Sequence, residues 1–125
     1  MLQAGLTYKQ KRNVTKKDTA DQVGSGSLAV YGTPAMIAFI ENTALKAVEE
    51  ELEDNQTTVG TKVNINHLRP TPVGERVICS VELRAVNGSQ LQFNVEVEDE
   101  NNKIGEGTHT RYIVNKDTFM EKVDR

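Results

Sequence analysis

Gly32-Thr33-Pro34-Ala35-Met36-Ile37-Ala38-Phe39-Ile40-Glu41-Asn42-Thr43-Ala44-Leu45-Lys46-Ala47-Val48 is the stretch that decides the fold. Thr33-Pro34 reads as a helix start, with Thr33 as N-cap and Pro34 as first helical residue, because proline loses nothing where the N–H has no intrahelical partner. The apolar pattern runs on to about Leu52. Its first turns are apolar nearly all round, and a helix of that kind has to be enclosed. Glu41 interrupts this surface just where it should continue into Ala44, Leu45 and Val48. An ionised carboxylate buried without a partner is costly, so such a group is retained by a polar partner or by chemistry. Glu49, Glu50, Glu51, Glu53 and Asp54 crowd the far end, where the macrodipole disfavours negative charge. That terminus should be solvated and frayed.

Four strand patterns follow the helix: Val59 to Arg69, Arg76 to Val86, Gln90 to Glu98 and Lys103 to Asn115. A weaker one, Leu6 to Val14, precedes it, and residues 15 to 32 form a loop with no sustained period. Alternation turns Val77, Cys79, Val81, Leu83 and Ala85 inward in one strand, and Leu91, Phe93, Val95 and Val97 in the next. Asn87-Gly88 signals a type I′ hairpin, and Asp99 to Asn102 a second reversal, so the last three strands should be consecutive antiparallel neighbours. Period two also places His67 in phase with Val59, Val63 and Ile65, facing inward. The expected architecture is α+β: a five-stranded antiparallel sheet wrapped around one long central helix, a hotdog arrangement. An open two-layer sandwich with the helix on one face is the alternative.

The 125 residues fit a single domain, 1–125, large enough to bury roughly two-thirds of the unfolded surface. Aromatic content is 5% with no Trp, so the core is expected to be aliphatic. A formal net charge of -3, with cations grouped only at Lys9, Lys11, Arg12, Lys16 and Lys17, argues against nucleic acid as a partner. Cys79 is the single cysteine and alternates with Val77 and Val81, which reads as core. No leader-like apolar run and no membrane-length segment is found, so a cytoplasmic protein without a membrane partner is expected.

The run Gly24-Ser25-Gly26-Ser27-Leu28-Ala29-Val30, Thr33-Pro34-Ala35-Met36, Glu41, Val59-Gly60-Thr61, His67, Pro72-Val73-Gly74 and Gly105-Glu106-Gly107-Thr108-His109-Thr110-Arg111 resembles the fluoroacetyl-CoA thioesterase branch of the hotdog superfamily. The likeness spans nearly the whole chain. Its most specific part is spacing: a hydroxyl eight positions before a helix Glu, then Gly-Thr, then a His in the following strand. The resemblance implies catalytic roles for Thr33, Glu41 and His67 on an acyl-CoA thioester. Thr33 would contact or activate the acyl group, Glu41 would serve as nucleophile or activate water, and His67 would be the general acid/base. It also implies substrate binding by Gly60, whose N–H would hold the thioester oxygen, by Thr61, and by Arg111, which would orient the carboxylate. No metal and no cofactor is called for, and a homodimer is expected.

Plainer readings stand beside these: Thr33 as a helix cap, Glu41 on an exposed stripe, His67 as a hydrogen-bonded core or interface residue, and His109 as structural. One departure bears on substrate. The fluoroacetyl-specific enzyme has a longer, Phe-bearing segment before the helix, whereas residues 15 to 32 here are shorter and contain no Phe. The reading is therefore an acyl-CoA thioesterase for a small or medium acyl group. Its alternatives are a non-catalytic acyl-CoA or acyl-carrier binding module and, less well matched by motif, a hydratase or dehydratase.

Overall fold

The computed structural model describes residues 2–124. Five strands, β1 (Thr7–Asn13), β2 (Gln56–His67), β3 (Arg76–Asn87), β4 (Gln90–Glu98) and β5 (Lys103–Asn115), form one antiparallel sheet in the order β1-β3-β4-β5-β2. Of the helices, α1 (Ala20–Val23) is a single turn, α2 (Thr33–Glu49) is the long one and α3 (Lys116–Val123) closes the chain. The α+β class and the sheet-on-helix arrangement are as expected from the sequence.

α2 presses Met36, Phe39, Ile40, Ala44 and Val48, all at 0% exposure, onto the inward faces of β3 and β4, where Val77, Cys79, Val81, Leu83, Leu91, Phe93, Val95 and Val97 are buried. Burial pushes the Cys79 thiol up to about 11, consistent with an inert core residue. Ile40→Val should cost about 0.5–1.5 kcal/mol, because one methylene leaves a site with no room to collapse. The measurement is a lowered denaturation midpoint at unchanged slope. The helix is not enclosed on all sides, however. A single sheet covers one flank, and Pro34 and Ala38 on the other are exposed.

Several local expectations are corrected. α2 stops at Glu49, its last turn tightening through Glu51 N–H to Val48 O and Leu52 N–H to Glu49 O, as the acidic end leads one to expect. The hairpin loop is Gly88-Ser89 rather than Asn87-Gly88, since Asn87 pairs with Gln90. Of these two loop residues Gly88 has the positive φ (61°), the pattern of a loop with its left-handed residue first. β3 carries a bulge between Leu83 and Ala85 that reverses the phase, so Val86, opposite Leu91, packs on the core in place of Ala85. Within residues 15–32 a turn at Lys16–Asp18 is closed by the Asp18 carboxylate, which accepts from Thr15 N–H and Oγ1–H. α3, not anticipated, starts at Asn115, whose side chain accepts from the Asp117 and Thr118 amides.

Candidate active site

β2 lies at one edge of the sheet, paired with β5 alone, and its residues Gly60 and His67 flank opposite ends of the first two turns of α2. A second bulge, between Gly60 and Lys62, inserts Thr61 into β2. Cross-strand partners share a face, so Gly60 with Arg111 point to the helix side, and after the bulge so do Val63 with His109, Ile65 with Gly107 and His67 with Gly105. The inward phase expected for His67 is correct, but Val59, opposite Tyr112, faces the other way. The bulge is the reason: one extra residue flips every side chain beyond it.

At the start of α2 the capping residue is Gly32, in extended geometry, and Thr33 is already helical. Thr33 is therefore not the N-cap. Its hydroxyl is free to reach across to β2, where Oγ1 lies 2.7 Å from His67 Nδ1. His67 Nε2 is buried and has no hydrogen-bond partner among the described residues. Burial lowers the imidazole from its ordinary value, so the ring is held neutral, with one nitrogen a donor and the other an acceptor. Tyr31 meets this ring edge-on, centroids 6.4 Å apart. A cleft of about 300 Å³ opens beside the pair, lined by Tyr31, Gly32, Thr33, His67, Leu68 and Arg69.

Glu41 sits eight residues further along α2, about 12 Å at the helical rise. Its side chain is 39% exposed, and Oε2 lies 3.5 Å from Arg111 Nη1 and 4.0 Å from His109 Nε2. Arg111 is buried, its Nε donating to Thr58 Oγ1 (2.8 Å), its Nη2 to Thr58 O (2.9 Å) and its Nη1 to His109 Nε2 (3.1 Å). Gly60 closes this group from β2. A Cβ there would overlap Glu41 Oε2 and crowd Arg111 Nη1 and His109 Cε1 at 3.2 Å. Gly60→Ala should consequently displace the half-exposed carboxylate rather than unfold the chain. Melting temperature should hold within a few degrees in thermal denaturation, and a drop of tens of degrees would mean that the glycine is needed for folding itself.

The structure thus brings Thr33 to His67, and Glu41 to Gly60 and Arg111, as two stations along one helix. No hydrogen bond or ion pair joins Glu41 to His67 among the described residues. Thr61 is the exposed bulge residue, its hydroxyl 3.4 Å from the Thr110 carbonyl. His109, read from sequence as structural, turns out to touch both Arg111 and Glu41. The available signal was its inward phase with Arg111, two residues on.

Among known proteins, the family described as fluoroacetyl-CoA-specific thioesterase (FlK) matches residues 14–117. A fluoroacetyl-CoA thioesterase of Streptantibioticus cattleyicolor is 33% identical over 94 residues, 75% of this chain and 68% of that protein. The solved structure of the fluoroacetyl-CoA thioesterase FlK superposes with a TM-score of 0.94 at 26% identity, covering 99% of this chain and 96% of that one. A hot-dog-like protein from Thermanaerovibrio acidaminovorans gives a TM-score of 0.87 at 19% identity, covering 96% and 89%, and shows the hotdog fold alone.

Proposed function

The chain belongs to the family of fluoroacetyl-CoA-specific thioesterases, which are thioester hydrolases, and on that premise we propose that it cleaves a small or medium acyl-CoA to free acid and CoA with Thr33, Glu41 and His67. The observation that carries the reading is the 2.7 Å contact of Thr33 Oγ1 with His67 Nδ1, at the positive end of α2 and beside an open cleft. A hydroxyl within hydrogen-bond range of a neutral imidazole, with another buried ring nitrogen to spare, is equipped for proton transfer.

The reaction adds an oxygen nucleophile to the thioester carbon, forming a tetrahedral oxyanion. The C–S bond then breaks, its electron pair leaving on sulfur, and His67 protonates the thiolate with the proton taken from the Thr33 hydroxyl or, where Glu41 attacks or activates water, with one drawn from solvent. Two first steps fit the arrangement: attack by the Thr33 hydroxyl, deprotonated by His67, or attack by Glu41 or by water that it activates; where a side chain attacks, the acyl ester or anhydride it forms is then cleaved by water, which gives the free acid and returns the side chain. Oxyanion stabilisation would come from the α2 N-terminus and the Gly60 N–H, typically about 2.7–4 kcal/mol per donor. Arg111 fixes the Glu41 carboxylate, and Thr61, at the bulge, contacts substrate from the rim.

A homodimer supplies what one chain lacks. β2 is an edge paired on one side only, Val63 within it and Leu68 just after it are 38% and 47% exposed, and Pro34 and Ala38 of α2 are exposed too. Edges of this kind pair readily with a second copy. Antiparallel pairing about a two-fold near Val63 and Asn64 sets Gly60 of one copy opposite His67 of the other, joining the two stations. The short, Phe-free segment 15–32 favours an acyl group broader than fluoroacetyl.

Thiol release from acetyl-, malonyl-, benzoyl- and long-chain acyl-CoA, run in parallel, tests this. Turnover of at least one is expected. Thermal protection by acyl-CoA with no thiol released by any would make the chain a binding module instead.

A further inference from the structure

His109 has no part in the chemistry above, yet it is buried at 1% exposure and both ring nitrogens are engaged. Nδ1 lies 2.8 Å from the Lys62 carbonyl oxygen, which only accepts, so Nδ1 carries the proton. Nε2 lies 3.1 Å from Arg111 Nη1, which only donates, so Nε2 offers a lone pair. The contacts therefore specify one neutral tautomer in one orientation, and Phe93 stacks on the ring at 6.4 Å and 27°. Thr58, which holds the other side of Arg111, and Lys62 stand on opposite sides of the Gly60–Thr61 bulge.

We infer that His109 is a positioning residue that, together with Arg111, staples β2 on both sides of its bulge and so holds the Gly60 backbone and the Glu41 carboxylate in register with each other. The staple runs Thr58, Arg111, His109, Lys62, and crosses the segment that a bulge would otherwise leave loose. Arg111 reaches Glu41 with the same Nη1 that it lends to His109, so its aim depends on that acceptor. The charged groups facing His109 are Arg111 on its own strand and Glu41 on α2; β2 presents the Lys62 carbonyl and β4 presents Phe93. Protonation would turn Nε2 from acceptor to donor, set N–H against N–H at Arg111, and redirect the ring to Glu41. Burial and the Arg111 charge oppose this. The catalytic consequence rests on the reading that Glu41 and Gly60 serve thioester hydrolysis; the staple itself does not.

The test compares His109→Phe, which fills the space without hydrogen bonds, with His109→Gln, whose amide can donate to Lys62 O and accept from Arg111. In the full chain, His109→Phe should speed hydrogen exchange of the β2 amides around Thr61 about 10-fold. Turnover of the best acyl-CoA should fall about 10-fold in kcat with KM within about twofold. His109→Gln should recover most of both, a rescue through the Lys62 and Arg111 contacts that a purely space-filling role would not give. Wild-type exchange in His109→Phe, or a Gln variant as impaired as the Phe variant, overturns the proposal. If the Phe variant does not fold, Thr58→Val loosens the opposite arm, and unchanged exchange there counts equally against it. Absence of thiol release by the wild type would end the thioesterase reading, and the exchange results would still decide the staple.

Discussion

Glu41→Ala is expected to lower acyl-CoA turnover by on the order of 100-fold or more while the fold persists. Both halves follow from the same contacts. The carboxylate is half exposed, so its removal uncovers little, and Arg111 keeps three hydrogen bonds, two to Thr58 and one to His109, when the fourth partner goes. A buried guanidinium stripped of all partners would threaten the chain; this one is not. What disappears is the carboxylate facing Gly60. Glu41→Gln separates charge from shape: it can still accept from Arg111, but it can neither attack a thioester nor take a proton from water. The expected order in a thiol-release assay is wild type far above Gln, with Gln close to Ala, and equal denaturation midpoints within about 1 kcal/mol. A Glu41→Ala enzyme turning over at the wild-type rate removes the carboxylate from the mechanism.

The strands β3, up to its bulge, and β4 were legible because each carries an apolar face at period two, β5 because a turn signal at Asp99 to Asn102 precedes it, and α2 because Thr-Pro precedes an apolar run. The two bulges were not. A bulge arises when facing strands disagree by one residue, and neither Arg84 nor Thr61 carries a local mark of it, so the phase was misread at Ala85 and Val59. The cap was misassigned for a related reason: Gly32 and Thr33 both suit a helix start, and tertiary contact with His67 decided between them. α3 buries no residue and so lacks the periodic stripe that announces a helix. In the site, a carboxylate on the apolar helix and an imidazole of inward phase on β2 read as facing one interior. Phase alone could not reveal that they occupy separate stations of a single chain, because that depends on where an edge strand crosses the helix. Arg111 beside Glu41 is an ion pair between elements 70 residues apart, anticipated through family likeness rather than local pattern.

His67→Ala should reduce turnover by on the order of 100-fold or more, the range for loss of a general acid/base, and a mixing experiment locates the site. If Glu41 and His67 of different copies form each active centre, a mixed dimer of Glu41→Ala and His67→Ala chains contains one centre lacking both groups and one lacking neither. Random reassociation makes half the dimers mixed, so unfolding and refolding the two inactive variants together should restore roughly a quarter of wild-type turnover. If each chain builds its own centre, every centre in the mixture lacks one group and the mixture stays inactive. The pH dependence gives an independent reading of the imidazole. Burial lowers His67 below the ordinary histidine value of 6.5, so His67 remains an unprotonated base under mildly acidic conditions, and the acid limb of its kcat profile should fall below that value. The sign for stability follows: between its folded-state value and 6.5 the unfolded chain binds the proton and the native one does not, so stability drops as pH falls through this window. His67→Ala should weaken that drop, His109 retaining its own share. A recovered quarter of activity would put Glu41 of one copy and His67 of the other in one centre, the arrangement that pairing of two β2 edges about a two-fold axis provides.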